Sequence, residues 1–358
     1  MTTQNVAVGF EASGLAAAIL CFVVASPARA QDASTCAALH TFALPGVALE
    51  ITSTQHVPAG PAQTAGAAAV GTMPAHCRVD GILERRTGVN GVEYGIRFAL
   101  ALPDDWTGQF LFQGGGGLNG FVAPPVGGQV AGATAALARG FAVVSNDTGH
   151  RGVVFDSSFF ADQEATLNFL WLANGKVTVI AKQLIDTYYR MPADHSYFVG
   201  CSTGGREAMM MSQRYPTYFD GLVAGAPAMR TGFSNLGMRS VSVALGAAAQ
   251  RDASGAAIPG SALSEGDKKL IVDSLLATCD ANDGVADGMI FNPLACGFDP
   301  ADLTCSGAKN DMCLSPTQAN AVKQALSGPK ASNGRNVYPG YLYDTGITTS
   351  APGVIPGC

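Results

Sequence analysis

Ser202 stands at the centre of Gly200-Cys201-Ser202-Thr203-Gly204, the G-x-S-x-G spacing of a nucleophile elbow. A serine hydroxyl is a weak nucleophile, so it needs a base to take its proton and donors to hold the oxyanion formed on the attacked carbonyl. The flanking glycines suit that chemistry, because a sharp turn from strand to helix leaves no room for side chains on either side of the serine. The N–H of Thr203 would open the following helix and face the developing charge, aided by the helix dipole. A second donor is expected from the Gly114-Gly115-Gly116-Gly117 loop, with the Gly116 N–H as the candidate. Neither G-x-x-x-x-G-K-[ST] nor G-x-G-x-x-G with a downstream acid occurs, which argues against a nucleotide site.

The base is not evident. Hydrolases built on such a turn supply nucleophile, acid and histidine in that order, yet His40, His56, His76, His150 and His195 all precede Ser202. His150, in Asp147-Thr148-Gly149-His150, is read as a structural hydrogen-bonding residue, and so is His195 at the start of the strand leading to the elbow. Cys201 could be a nucleophile itself, but it sits beside the turn's centre, and a disulfide is the better reading.

A second constellation follows a helix: Asp280, Asp283 and Asp287 in a short loop broken by Gly284 and Gly288. Carboxylates crowded in this way repel one another unless a cation lies between them, and Ca²⁺ tolerates such flexible oxygen sets. This is not an EF-hand, because the twelfth position counted from Asp280 is Phe291 rather than Glu. The carbonyls of Val285 and Met289 are the candidates to complete the shell of a structural Ca²⁺.

These groups need elements to hold them. Val92 to Leu102, Gln109 to Phe112, Phe141 to Ser145, Ser196 to Gly200 and Gly221 to Ala224 read as strands. An Ala-rich helix around Gly132 to Arg139 and helices Gln163 to Tyr189 and Gly205 to Tyr215 lie between them. Strands separated by helices imply a mostly parallel sheet covered on both faces, an α/β class, with Ser202 on one of its turns. Beyond Ala228 the character changes to weak helical patterns (Ser264 to Ala277, Ser315 to Leu326), four clustered cysteines and Gly/Pro-rich connections. That region, 230–358, is read as a lid inserted into the domain formed by 31–229.

The composition agrees with an exported enzyme. With 358 residues, 47% hydrophobic, the chain can bury a large core, while a net charge of −6 and only 13% charged residues argue against nucleic acid as a partner. Gly14 to Val24 (GLAAAILCFVV) followed by Ala28-Arg29-Ala30 reads as a signal peptide, residues 1–30, although its leading segment carries Glu11 and no Lys or Arg. No later stretch reads as a membrane span. Of the nine cysteines Cys21 would leave with the signal, and in an oxidising compartment the others are expected to pair. Cys36–Cys77, Cys279–Cys296 and Cys305–Cys313 are the expected pairs, and the partners of Cys201 and Cys358 are left open. No obligate protein partner is expected.

The run Tyr197-Phe198-Val199-Gly200-Cys201-Ser202-Thr203-Gly204-Gly205-Arg206-Glu207, with Tyr215-Pro216 and Phe219-Asp220-Gly221 to Pro227 after it, resembles the tannase and feruloyl esterase family, which also contains the hydrolase of mono(2-hydroxyethyl) terephthalate. The resemblance extends to Gly114 to Gly117, Asp147 to His150, the acidic loop and the cysteine spacings. It implies a secreted α/β hydrolase with a large lid, which cleaves small-molecule esters of aromatic acids through an acyl-enzyme on Ser202. Feruloyl, galloyl, chlorogenate-type and terephthalate monoesters are all compatible. In such enzymes the cysteine before the serine is bonded to one following the catalytic histidine. Cys201 matches the first, whereas Cys358 has no histidine before it. The expectation is therefore that acid, base, this second cysteine and the last strands of the sheet lie beyond residue 358. The competing expectation is a catalytically inactive, calcium-stabilised fragment; an acyltransferase or peptidase would use the same serine.

Overall fold

A computed structural model describes residues 33–61, 71–128, 130 and 134–348, so residues 1–30, read above as a signal peptide, lie outside the described residues. In chain order the strands are β1 (Leu49–Val57), β2 (Gly60–Pro61), β3 (Thr72–Met73), β4 (His76–Thr87), β5 (Glu93–Pro103), β6 (Gln109–Gln113), β7 (Ala142–Asn146), β8 (His195–Cys201) and β9 (Gly221–Gly225). Seven of them form one sheet in the order β1-β4-β5-β7-β6-β8-β9, and β2 pairs with β3 apart from it. From β1 to β7 the neighbours are antiparallel; β7, β6, β8 and β9 run parallel. The central strands are uninterrupted apolar runs, as expected where both faces of a parallel sheet are covered: Phe110, Phe112, Val143, Val144 and Phe198 are all buried.

One face is covered by α3 (Ala173–Tyr189) and α4 (Thr203–Arg214), whose Val177, Ile180, Leu184 and Met211 pack on Phe98, Leu100, Phe112 and Phe198. Each such side chain contributes roughly 2 kcal/mol by leaving water. Leu111, Val143 and Val199 face the other way, toward Ala135, Ala136 and Leu137. The expected Gln163 to Tyr189 helix is realised with an interruption: α2 (Gln163–Leu167), a π turn at Asn168–Leu172, then α3. The Ala-rich helix expected around Gly132 to Arg139 is, in its described part, only a 3-10 turn at Leu137–Arg139. There Ala136 and Leu137 donate their amides to Gly127 and Val126 carbonyls instead of continuing a helical ladder, and Gly140 ends the turn with a left-handed conformation. α1 (Ala33–Ala38) is pinned to β4 by Cys36–Cys77, a closure across 41 residues that contributes about 4 kcal/mol in the chain-entropy account.

After β9 the chain forms α5 (Thr231–Gly246), α6 (Glu265–Cys279) and α7 (Pro316–Ser327). Capping boxes at Ser264/Asp267 and Ser315/Gln318 start α6 and α7. These helices have their own small core of Ile271, Leu275, Phe298, Leu314 and Val322, stapled by Cys279–Cys296 and Cys305–Cys313. α5 is not foreseen from sequence, since Gly232, Gly237 and its β-branched residues weaken the helical pattern. Gly237 is buried where the Tyr338 and Tyr341 rings approach the helix backbone, so tertiary packing supports α5.

Candidate active site

The carboxyl ends of β6, β7, β8 and β9 share one edge, where open α/β sheets bind their ligands. It gathers four segments that are far apart in sequence: Gly114 to Gly117, Asp147 to His150, Ser202, and 226–228. Ser202 joins β8 to α4 with φ 58° and ψ −116°, a conformation costly for a residue with a Cβ. The neighbouring backbone holds it there. Its N–H donates to Gly225 O, and its carbonyl accepts from the amides of Arg206 and Ala228, all at 3.0 Å.

The glycines around it are required by close approach. A Cβ on Gly200 would lie 2.5 Å from backbone atoms of Gly204, one on Gly204 2.7 Å from Gly115 O, and one on Gly205 2.3 Å from Gly225 O. The Gly-rich loop thus rests directly on the start of α4. Gly114 N donates to Val199 O at 2.8 Å, and Gly115 N donates to the Glu207 carboxylate at 3.0 Å. Thr203 Oγ1 donates to Gly117 O. Gly116 N has no acceptor among the described residues, and Thr203 N, first in its helix, has none within the helix. The two amides expected to hold an oxyanion are therefore not consumed by the scaffold, and the loop that carries Gly116 is tied to Thr203 and Gly204, next to Ser202.

Glu207 escaped the sequence reading. It lies four residues after Thr203, hence on the same helical face, which was the available signal. Its carboxylate is completely buried and also accepts from Asn119 Nδ2 at 2.7 Å. Burial pushes this carboxyl's pKa up, while the neighbouring Arg206 charge and the Gly115, Asn119 and Asn174 hydrogen bonds pull it down. Arg206 in turn donates to the Phe169 and Leu170 carbonyls of the π turn and lies 4.3 Å from the centre of the Phe169 ring.

Asp147 and His150 form the third segment. Asp147 is fully buried, accepts from Arg97 Nε at 2.6 Å and from the Arg97 and Gly149 amides, and burial raises its carboxyl to about 6 against the Arg97 charge. His150 hydrogen-bonds through Nε2 to Leu118 O at 3.0 Å and stacks on Phe159 at 3.8 Å, contacts of the kind expected of a structural hydrogen-bonding residue. Its Nδ1, near the Thr148 backbone, makes no hydrogen bond of proper geometry. Burial lowers the imidazole to about 4. An unfolded histidine protonates near 6.5, so the stability held by neutral His150 is complete above that pH and is lost as pH falls toward 4, by about 3 kcal/mol. Asp147, raised in the fold, acts in the opposite sense, with stability lost as pH rises from 3.8 to about 6. The stability difference between wild type and His150→Phe, from urea unfolding at pH 7 and 4.5, is therefore expected to shrink on acidification; a constant difference would contradict it.

His56 pairs with Asp104 at 3.0 Å and His76 Nδ1 contacts Pro74 O at 2.8 Å, while His195 begins β8 at its far end and His40 lies beyond α1. Among the described residues no histidine hydrogen-bonds to Ser202. Cys201 is disulfide-bonded, which removes it as a nucleophile. The resemblance placed its partner beyond residue 358; in the structure the other half of the bond lies outside the described residues. The three other expected disulfides are present.

Asp280, Asp283 and Asp287 lie in an exposed loop stapled by Cys279–Cys296. Asp280 accepts from the Asp287 and Gly288 amides, Asp283 from Val285 and Phe291, and Asp287 from Met289. Among the described residues no three acidic, Cys or His side chains converge as a metal-binding group. The Val285 and Met289 carbonyls accept no hydrogen bond there. The donor set therefore has the right chemistry for Ca²⁺, with the carboxylates turned onto backbone amides. An apolar cavity of about 460 Å³ lies elsewhere, lined by Leu245, Leu263, Ile271, Val322 and Tyr341 of the second lobe, and no elbow residue contributes to it.

The sequence profile of tannase and feruloyl esterase matches residues 77–357. The chain is 39% identical over 308 residues to mono(2-hydroxyethyl) terephthalate hydrolase of Piscinibacter sakaiensis, covering 80% of this chain and 50% of that protein. The structure of feruloyl esterase B from Aspergillus oryzae superposes with a TM-score of 0.68 at 27% identity, over 86% of this chain and 58% of that one. Tannin acyl hydrolase from Aspergillus niger, at 22% identity and a TM-score of 0.62, covers 87% of this chain and 57% of its own, and shows the fold alone. The chain spans about half the length of the curated relatives it matches. The fold is that of an α/β hydrolase, and the chain belongs to the tannase and feruloyl esterase family.

Proposed function

We propose that this chain carries the nucleophile of a secreted carboxylic ester hydrolase acting on esters of aromatic acids. The observation that carries this reading is Ser202 on its strained turn, with the amides of Thr203 and Gly116 left unspent on the two segments packed there. Ser202 Oγ attacks the ester carbonyl, and the two amides hold the oxyanion. The alcohol leaves as the acyl-enzyme forms, and water then releases the aromatic acid. The aromatic acid class is supported by relatives named as a mono(2-hydroxyethyl) terephthalate hydrolase and a feruloyl esterase. Since no histidine here meets Ser202, the general base and its acid partner come from outside the described residues. A second reading, binding of an aromatic ester without turnover, is favoured by the lack of a histidine on Ser202 among the described residues. Loss of Ser202-dependent hydrolysis in the full-length protein tests the first.

Export is supported by the disulfides, which persist in oxidising compartments. No helix of the described residues is long and apolar enough to cross a membrane. Ca²⁺ is proposed as a structural ion held by Asp280, Asp283, Asp287 and the Val285 and Met289 carbonyls, where it would offset carboxylate repulsion. Chelation is then expected to lower the melting temperature, with added Ca²⁺ restoring it. An unchanged melt, with no calcium found in the purified protein by elemental analysis, would contradict this.

A further inference from the structure

We propose that Glu207 is a positioning residue of the oxyanion hole, acting through the backbone of the Gly-rich loop; this rests on the reading of Ser202 as the nucleophile. α4 grips that loop at two points, Glu207 Oε2 accepting from Gly115 N and Thr203 Oγ1 donating to Gly117 O. Gly116 lies between the two grips, its amide unspent, with open space where a Cβ would project. One helix therefore carries the Thr203 amide, the nucleophile's flank and the restraints on the second amide. A glycine loop cannot hold such a geometry alone, because its residues have the widest backbone freedom. Asn119 completes the arrangement: its Nδ2 donates to Glu207 Oε1, and its side chain packs where a Cβ of Gly115 would project. A buried carboxylate is costly unless donors surround it; of the three here, Gly115 N and Asn119 Nδ2 come from the Gly-rich loop and the residues just after it, and Asn174 comes from α3.

Glu207→Leu in the full-length protein keeps much of the side chain's bulk but removes both acceptor oxygens. The Gly115 amide and Asn119 Nδ2 then lose the group they donate to, and the loop loses that grip. Misplaced oxyanion donors act on the transition state alone, so kcat for an aromatic ester is expected to fall roughly 10- to 100-fold with KM within about twofold of wild type. Inhibition by an arylboronic acid, which forms a tetrahedral adduct with the serine, should weaken in parallel, while inhibition by the aromatic carboxylate product stays unchanged. A kcat within about twofold of wild type would overturn the proposal. So would equal losses of boronate and product affinity, the mark of a merely structural defect. If Glu207→Leu does not yield folded protein, Asn119→Ala, which removes one donor, decides by the same split. Wild type without Ser202-dependent hydrolysis would overturn this proposal together with the nucleophile reading; Ser202-dependent hydrolysis with Glu207 and Asn119 variants unaffected overturns this one alone.

Discussion

Ser202→Ala in the full-length protein is expected to lower turnover of an aromatic ester by about four orders of magnitude or more, leaving only what the oxyanion donors and binding contribute. Nothing beside it can substitute. Cys201 is locked in a disulfide, and the Thr203 hydroxyl is engaged by Gly117 O. The variant should bind the aromatic acid product as wild type does and melt at a similar or slightly higher temperature, since the strained turn loses no packing. The test compares steady-state rates on a hydroxycinnamate ester and on a terephthalate monoester. Retention of more than about 1% of wild-type kcat/KM, too much for a missing nucleophile, would contradict the assignment.

Gly200→Ala is expected to destabilise the fold by about 3 kcal/mol and to remove activity with it. The added Cβ meets the carbonyl carbon, oxygen and Cα of Gly204, all under 3 Å away and all backbone, so no side chain can swing aside. The relief available is to separate β8 from α4, which displaces Ser202 and drags the Gly114 to Gly117 loop resting on Gly204. Gly232→Ala is the control. Gly232 is exposed in α5 with nothing within 4 Å of its Cβ position, and gaining helix propensity should stabilise it by up to about 1 kcal/mol. Denaturant unfolding of the two variants beside wild type checks the contrast; equal small effects would show that the elbow is looser than its distances imply.

The elbow was legible in sequence because the Tyr197 to Gly200 run, the glycines and the following helix are local features, and β8, Ser202 and α4 form where they were expected. The Gly114 to Gly117 loop could be assigned by motif, but its tethers could not. Arg206-Glu207 reads as an ordinary charged helix pair until the fold buries Glu207 against the Gly-rich loop and lays a half-buried Arg206 on the π turn. β1, with its alternating polar residues, and α5, with three glycines, were not seen, because each is stabilised by neighbours distant in sequence. The Ala-rich stretch before Gly140 misled for the complementary reason: good helix formers there are claimed by hydrogen bonds to Val126 and Gly127. The acidic loop shows the remaining gap, since composition identifies oxygen donors while their convergence depends on what they bind.

In the proposed function, chemistry passes through a covalent ester on Ser202. Quenching the full-length enzyme during turnover of a slow aromatic ester, then digesting it and sequencing the peptides by mass spectrometry, tests this most directly. The prediction is one acyl group on the peptide spanning Ser202, absent in Ser202→Ala and discharged with time in wild type. An acyl group on another residue, or full turnover with no acylated Ser202 peptide at any time, would contradict it.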